Sequence, residues 1–101
     1  MIARTWHGVT PASKSEAYLG YLNKTGVPDL SATKGNQGVY VLRRIEGEQA
    51  HFLLISLWES PEMIKNFAGV DIEKARYYPE DKAFLLELEP AVTHYEVLVK
   101  P

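Results

Sequence analysis

The stretch Phe52-Leu53-Leu54-Ile55-Ser56-Leu57-Trp58 decides the fold of this chain, because it is apolar at both odd and even positions with a single polar residue, Ser56. Successive side chains of a β-strand point to opposite faces of a sheet. A strand that is apolar on both faces needs cover on both sides, which is typical of the centre of a sheet. Residues 50–58 are therefore predicted to form a central strand.

Three further strands are predicted around this one. Residues 38–45 form a strand-like run, and Glu46-Gly47-Glu48-Gln49 after it is short and contains glycine, which favours an antiparallel hairpin. Residues 2–9 are rich in β-branched and aromatic side chains and predict a first strand. Residues 92–99, after Pro90, predict a last one.

Two helical regions are predicted between the strands. Ser13-Lys14-Ser15-Glu16 has the spacing of a capping box, in which serine and glutamate side chains satisfy each other's backbone amides at a helix start. Residues 27–38 follow neither the helical nor the strand period and predict a connecting loop. Ser60-Pro61 places a capping residue before a proline, so a second helix is predicted to begin there and to end near Gly69.

The predicted order is strand, helix, strand, strand, helical region, strand. This is the split βαβ pattern of a ferredoxin-like α+β domain with an antiparallel four-stranded sheet. A chain of 101 residues has the size of one domain, so residues 1–101 are assigned to a single domain. Helices cover only one face of such a sheet. A second copy of the chain is the simplest cover for the other face, which predicts a homodimer.

The composition narrows the class of protein. Eleven Lys and Arg residues face thirteen Asp and Glu residues, and both signs are scattered, so no binding surface for nucleic acid or an anionic membrane is predicted. The absence of cysteine excludes disulfides, thiolate metal sites and a cysteine nucleophile. No apolar stretch approaches the ~20 residues that a membrane span needs, and the first residues lack the pattern of a signal peptide. A soluble cytoplasmic protein is expected.

Three segments of the sequence resemble a known family. They are Arg4-Thr5-Trp6-His7-Gly8, then Leu53-Leu54-Ile55-Ser56-Leu57-Trp58-Glu59-Ser60, then Tyr77-Tyr78-Pro79-Glu80-Asp81 through His94-Tyr95-Glu96. On these segments the chain resembles the antibiotic biosynthesis monooxygenase (ABM) superfamily, within an uncharacterised subgroup. The resemblance implies a dimeric α/β barrel in which each subunit has a ligand cavity between its helices and its sheet.

The resemblance also implies a choice of activities. Members of the superfamily include cofactor-free oxygenases of aromatic polyketides, quinol-type oxygenases and haem-degrading monooxygenases. In the haem-degrading branch the cavity holds an asparagine, a tryptophan and a haem-binding histidine, at positions that match Thr5, Phe67 and Tyr77 here. All three residues differ, which argues against haem degradation, and no cofactor is predicted. Haem stays an alternative ligand, since a tyrosine binds haem iron in other proteins.

His7 is the predicted general base. Strand alternation places Thr5, His7 and Val9 on one side of the first strand, and the register of the resemblance points this side into the cavity. An imidazole exchanges a proton near neutral pH and is suited to deprotonate a phenol or quinol. The alternative is a hydrogen-bonded histidine in a packed strand. His51 and His94 have no partner at a helix-defined spacing, so no metal site is predicted.

Aromatic residues are the predicted walls of the ligand site. Their planar faces can stack on a planar ligand, and the alternative is that they pack in the core, Trp58 above all. Tyr77 and Tyr78 are adjacent phenols beside a proline, and either one is a candidate to orient the substrate. The predicted ligand-binding residues are Thr5, Tyr40, Trp58, Phe67 and Tyr78, with His7 and Tyr77 as the catalytic pair.

These observations predict an ABM-like protein that binds a small planar or aromatic ligand. One version of this function is a cofactor-independent monooxygenase, in which the deprotonated substrate reacts directly with oxygen. The other version is a dimeric module without catalytic activity, which binds a ligand such as haem or serves in a stress response. Fold alone does not separate the two.

Overall fold

A computed structural model describes residues 1–100 of the chain. Its elements in chain order are strand β1 (Ile2–Pro11), a 3-10 turn (Ala12–Lys14), helices α1 (Ser15–Lys24) and α2 (Gly26–Ala32), strands β2 (Asn36–Glu46) and β3 (Gln49–Trp58), helices α3 (Pro61–Ala68) and α4 (Asp81–Phe84), and strand β4 (Thr93–Glu96). None of the helices in this part of the chain is long and apolar enough to cross a membrane.

The four strands form one antiparallel sheet in the order β2-β3-β1-β4. This order and the element sequence confirm the predicted ferredoxin-like α+β class. The predicted hairpin is also confirmed, since β2 and β3 pair directly as far as Glu46 and Gln49. Gly47 in the turn has φ 59°, a left-handed conformation that glycine adopts without steric cost.

The two faces of the sheet are set by alternation along β1 and β3. Arg4 and Trp6 are buried, whereas Thr5 and His7 between them are half-buried. Trp6 pairs with the buried Leu54 of β3, so these side chains share the face that the helices cover. The predicted orientation of Thr5, His7 and Val9 toward the helices is therefore wrong. The alternation along β1 is confirmed, but Arg4 and Trp6 face the helices, whereas Thr5 and His7 face away from them.

The hydrophobic core lies between the sheet and the helices. Trp58, Phe52 and Ile64 have no exposed surface, and Tyr18 of α1 is only 1% exposed. The opposite face of the sheet has no helix over it, and we call it the helix-free face. The side chain of Tyr40 on this face is 57% exposed, so it does not belong to the core.

Three local predictions are corrected by the structure. Residues 27–38 contain α2 rather than a loop, because Pro28 falls in the first helical turn, where backbone amides have no intrahelical partner. The capping box is absent: Lys14 is the N-cap of α1, and no side chain caps it. The last strand is shorter than predicted and spans only Thr93–Glu96.

The start and end of α3 follow the prediction. Pro61 is its first residue, where a missing amide costs no hydrogen bond. Gly69 ends the helix with φ 84°. Ser60 is the N-cap in an extended conformation, although its side chain makes no capping hydrogen bond.

Candidate functional site

A cavity lies between the helix-covered face of the sheet and the helices, at the place where the sequence predicts a ligand site. Its volume is about 40 Å³. A water molecule needs roughly 10–15 Å³, so the cavity has room for a few waters. Its lining residues are Arg4, Trp6, Leu54 and Ser56 from the sheet, Tyr18, Leu22, Gly26, Leu30 and Phe67 from the helices, and Arg76, Tyr78 and Asp81 from the segment after α3.

Arg4 gives the cavity a buried positive charge. The residue is only 5% exposed, and no carboxylate of residues 1–100 lies within ion-pair distance of it. Its Nη2 donates to the carbonyl oxygen of Lys74 at 3.2 Å, and its guanidinium lies 5.6 Å from the ring centre of Phe67. Burial lowers the pKa of Arg4 to about 10, so the group stays charged at neutral pH.

A clasp of three side chains closes one side of the cavity: Asp29 of α2, Arg76 and Tyr78. The Tyr78 hydroxyl donates to Asp29 Oδ2 at 2.7 Å, and Arg76 Nη2 lies 3.8 Å from the same oxygen. The Arg76 guanidinium also lies over the rings of Phe67 and Tyr78, at 4.7 and 5.2 Å. Burial and the hydrogen bond to Asp29 both raise the pKa of Tyr78. The clasp therefore ties α2 to the segment after α3.

A buried carboxyl group stands at another side of the cavity. Asp81, which is 4% exposed, accepts a hydrogen bond from the Tyr18 hydroxyl at 3.2 Å and one from the Tyr78 backbone amide at 2.6 Å. Burial raises the pKa of Asp81, although its two hydrogen-bond donors oppose the shift. Burial also raises the pKa of Tyr18, and the nearby charge of Asp81 raises it further. A carboxylate has room for further acceptor contacts, so Asp81 can take a proton from a bound molecule.

Trp6 forms a flat wall that depends on a glycine. A side chain at Gly8 would place its Cβ only 2.3 Å from Cη2 of Trp6, so the indole lies directly against the backbone there. The Trp6 Nε1 donates to the Tyr77 hydroxyl at 3.3 Å, and that hydroxyl donates to the Glu89 carbonyl at 2.5 Å. Burial raises the pKa of Tyr77. Tyr77 thus holds Trp6 in place from outside the cavity.

Two of the predicted site residues line the cavity, namely Phe67 and Tyr78. Trp58 lies in the core with no exposed surface and donates its Nε1 hydrogen to Ser56 Oγ at 2.9 Å, which agrees with the alternative that it packs. Tyr77 lies behind Trp6 rather than in the cavity. Neither of these last two residues therefore lines the cavity.

The remaining predicted residues, Thr5, His7 and Tyr40, lie on the helix-free face. Thr5 pairs with Ile55 and Tyr40 pairs with the same residue from the other side, so all of them point away from the helices. The Thr5 hydroxyl donates to the Thr93 carbonyl at 3.1 Å. The physical reason is the period of two: adjacent residues of one strand reach opposite faces.

His7 forms a hydrogen-bonded chain on the helix-free face. Its Nδ1 lies 2.6 Å from Glu89 Oε2, and its Nε2 lies 3.1 Å from Nδ1 of His51. A carboxylate only accepts, so Nδ1 of His7 carries a proton, whereas the tautomers of His7 and His51 decide which ring donates in the second hydrogen bond. The Nε2 of His51 is buried without a partner. No group of three or more His, Asp or Glu side chains within residues 1–100 is arranged to hold a metal ion.

The sequence reasoning missed Arg4, Tyr18 and Asp81 as cavity residues. Arg4 carried a usable signal, because a charged residue at an even position of β1 shares a face with Trp6. Tyr18 and Asp81 meet across 63 residues of chain, and only the fold brings them together. Single-sequence periodicity contains no trace of such a pair.

Comparisons with known proteins agree on the fold. The sequence has no matching protein-family model and no significant match to a curated protein. Among solved structures, the haem-degrading protein MhuD from Mycobacterium tuberculosis, with two haems bound in its active site, superimposes with a TM-score of 0.67 at 17% identity, over 100% of this chain and 99% of that one.

Two candidate antibiotic biosynthesis monooxygenases superimpose with similar TM-scores. The Bacillus cereus protein has a TM-score of 0.67 at 15% identity, over 99% of this chain and 93% of its own. The Bordetella bronchiseptica protein has a TM-score of 0.64 at 19% identity, over 97% of each chain. The predicted resemblance is confirmed at the level of the fold: this chain shares its ferredoxin-like fold with MhuD and with these two candidate antibiotic biosynthesis monooxygenases.

Proposed function

We propose that this chain is an ABM-like protein that binds a small planar aromatic ligand in the cavity between its helices and its sheet, and that it oxygenates this ligand without a cofactor. The observation that carries the proposal is the lining of the cavity. Flat aromatic walls from Trp6 and Phe67 face a space that also receives the buried polar groups of Arg4 and Asp81. A mostly apolar pocket with a few convergent polar groups is the usual form of a small-molecule site.

The aromatic walls favour a planar ligand. Trp6 is 8% exposed and its indole is fixed from behind by Tyr77 at a centroid distance of 6.2 Å. Phe67 is also 8% exposed and lies under two guanidinium groups. Rigid aromatic faces stack on planar molecules in offset or edge-to-face geometry, at a gain of about 0.5–1.5 kcal/mol per contact beyond area burial.

The oxygenation step assigns the base to Asp81, in place of the predicted His7. An aromatic substrate with an acidic O–H or C–H gives its proton to the Asp81 carboxylate, whose raised pKa makes it a stronger base. The charged Arg4 lies in the same cavity and stabilises the resulting anion. The electron-rich anion then reacts with dioxygen; for an activated ring CH2 group, one oxygen atom becomes the carbonyl oxygen and the other leaves as water.

Oxygen uptake with a panel of hydroquinones and anthrone-like phenols tests this step. Asp81→Asn is expected to lower turnover by roughly 10²–10⁴-fold, the usual effect of losing a general base. Glu80→Gln is the matched control, because Glu80 is an exposed neighbour that does not line the cavity. Full activity in both Asp81→Asn and Glu80→Gln would contradict the role of Asp81 as the general base.

Binding without catalysis separates the two versions of the function. Quenching of tryptophan fluorescence by the same panel, in the absence of oxygen uptake, would leave a binding protein and remove the oxygenase. A Trp6→Phe variant identifies the signal, because Trp6 lines the cavity and Trp58 has no exposed surface. Absence of quenching by every planar compound would contradict the proposal as a whole.

Haem is the alternative ligand, and its support is the likeness in fold to a protein that holds two haems in its active site. Two observations favour a ligand other than haem. No histidine lines the cavity, and its two tyrosines, Tyr18 and Tyr78, already donate their hydroxyl hydrogens to Asp81 and Asp29. Titration with haem, followed by its Soret band, tests this alternative.

We also propose that the chain forms a two-fold dimer through its helix-free face. Leu42 on this face is 46% exposed and lies beside Tyr40, while Leu53 and Ile55 of β3 are only half-buried. An apolar sheet face without a helix is a typical interaction surface, and a self-complementary patch closes into a dimer.

Sedimentation equilibrium tests the dimer. Leu53→Glu introduces a charge at the centre of the helix-free face and is expected to give monomers at micromolar concentration. Val70→Glu is the control, since Val70 is 90% exposed and lies beyond α3, away from the sheet. A wild-type chain that sediments as a stable monomer would contradict the dimer.

A further inference from the structure

Arg4 is a buried charge that the chain itself does not balance. Its Nε has no exposed surface and no hydrogen-bond partner, and only Nη2 is engaged, by the Lys74 carbonyl at 3.2 Å. Buried arginines usually pair with a carboxylate, because an uncompensated charge in a low-dielectric interior is costly. Within residues 1–100 no such partner exists for Arg4.

The other charges that face the cavity are already engaged. Arg76 lies beside Asp29, with 3.8 Å between Nη2 and Oδ2. Asp81 accepts hydrogen bonds from Tyr18 and from the backbone of Tyr78. Of the two arginines that line the cavity, Arg4 is therefore the one without an ion-pair partner within residues 1–100.

A histidine on the neighbouring strand lies close to this charge. His94 of β4 pairs with Arg4 of β1. Burial lowers the pKa of His94, the positive charge of Arg4 lowers it further, and Glu73 opposes the shift. The Nε2 of His94 is buried without a partner as well.

We propose that the ligand of this cavity is a single-ring aromatic acid, whose carboxylate binds the guanidinium of Arg4 while its ring lies against Trp6 and Phe67. The inference rests on the proposed binding function and specifies its substrate class. A guanidinium presents several N–H groups in a planar fork that matches the two oxygens of a carboxylate. A carboxylate here would supply the partner that Arg4 lacks.

The size of the cavity limits the ring system. A dry cavity of about 150 Å³ takes up one benzene molecule, whereas the closed cavity has about 40 Å³. One aromatic ring therefore already requires the Asp29–Arg76–Tyr78 clasp to loosen. Fused ring systems require a larger displacement of α2, so we expect affinity to fall from benzoate to naphthoate.

Calorimetric titration of the full chain with benzoate and with its neutral isostere benzamide tests the inference. Wild-type protein is expected to bind benzoate at least about 10-fold more tightly than benzamide, because hydrogen bonds to charged groups contribute more than neutral ones. Arg4→Met is expected to remove this preference, and Arg4→Lys to keep part of it. Lys24→Met is the control for net charge, because Lys24 is exposed at the end of α1.

Proton NMR of the histidines in the wild-type protein gives a second measurement, which requires no variant. Benzoate bound at Arg4 is expected to raise the pKa of His94, because the carboxylate cancels the charge that lowers it. Benzamide is expected to leave the pKa of His94 unchanged. A rise of equal size with both compounds would overturn the inference.

The outcomes separate the inference from the proposed function. Equal affinity for benzoate and benzamide, unchanged in Arg4→Met, would overturn the anionic ligand and leave the planar-ligand site standing. Binding of neutral hydroquinones with no binding of benzoate would overturn it in the same way. No binding of any aromatic compound would overturn the proposed function and the inference together.

Discussion

His7 and Arg4 lie on opposite faces of the sheet and differ in how many of their polar atoms have a partner. On the helix-free face, His7 has both ring nitrogens engaged, by Glu89 at 2.6 Å and by His51 at 3.1 Å. On the helix-covered face, Arg4 keeps a buried Nε with no partner at all. A histidine attracts attention as a catalytic residue, yet here it is the arginine whose bonding is incomplete. The difference teaches that unmet partners, rather than residue type, point to a ligand site.

The largest expected effect compares adjacent residues on the two faces. Trp58→Ala removes a side chain with no exposed surface and should lower the free energy of unfolding by about 3–5 kcal/mol. Leu57→Ala, on the helix-free face, should cost about 1 kcal/mol in the monomer, because Leu57 is only half-buried. Urea denaturation at several protein concentrations measures both. If Trp58→Ala and Leu57→Ala lowered the free energy of unfolding equally at every protein concentration, the assignment of the two faces would be contradicted.

The next largest effect on stability compares alanine substitutions at two glycines, Gly8 and Gly20. Gly8→Ala places a methyl group 2.3 Å from Trp6 and 3.0 Å from Leu85, and should destabilise the fold by about 1–3 kcal/mol while displacing the wall of the cavity. Gly20→Ala meets no atom within 4 Å on α1 and should stabilise it by about 0.5–1 kcal/mol. Thermal unfolding checks the opposite signs. A neutral Gly8→Ala would show that Trp6 is free to move.

Arg4→Met tests whether the unpaired charge of Arg4 lowers the stability of the fold. Removing an uncompensated buried cation in favour of an apolar chain of similar length should leave stability unchanged or raise it by up to about 2 kcal/mol, since buried charges are often replaced at no loss. Denaturation by urea measures this. A loss of several kcal/mol would show that Arg4 is held for structure, through the Lys74 carbonyl and the Phe67 ring.

The smallest effect is the dependence of stability on pH. His94 has a folded-state pKa below its ordinary 6.5, because of burial and then Arg4, with Glu73 opposing. The unfolded chain therefore takes up the proton first as the pH falls. The stability present above pH 6.5 should be lost as the pH falls through the folded-state pKa. His94→Gln should flatten this part of the profile; an unchanged slope would assign it to another group.

The sequence predicted the sheet well and the site poorly, for different physical reasons. The apolar run of β3 and the glycine in the hairpin are local signals, and both outcomes agree with the structure. Strand alternation separates Thr5 and His7 from Arg4 and Trp6 with certainty, but it carries no information on which set meets the helices. That choice depends on packing across the whole chain.

The helix α2 shows the second limit of sequence reasoning. Proline, serine and glycine between residues 27 and 38 favour a loop by propensity. Burial of Leu30, which is 4% exposed, outweighs this, and Pro28 is tolerated in the first turn. The clasp on Asp29 follows from α2, so a missed helix also hid one side of the cavity.

The clasp also sets how fast the site can work. Because Asp29, Arg76 and Tyr78 close a space too small for one ring, association should wait for an opening step, and the observed rate should level off as ligand concentration increases. The side chains of Arg76 and Asp29 are largely exposed, at 44% and 48%, so added salt weakens their attraction. The same salt competes with a bound anion far less at the buried Arg4. Ionic strength should therefore speed the arrival of a ligand more than it shortens its stay.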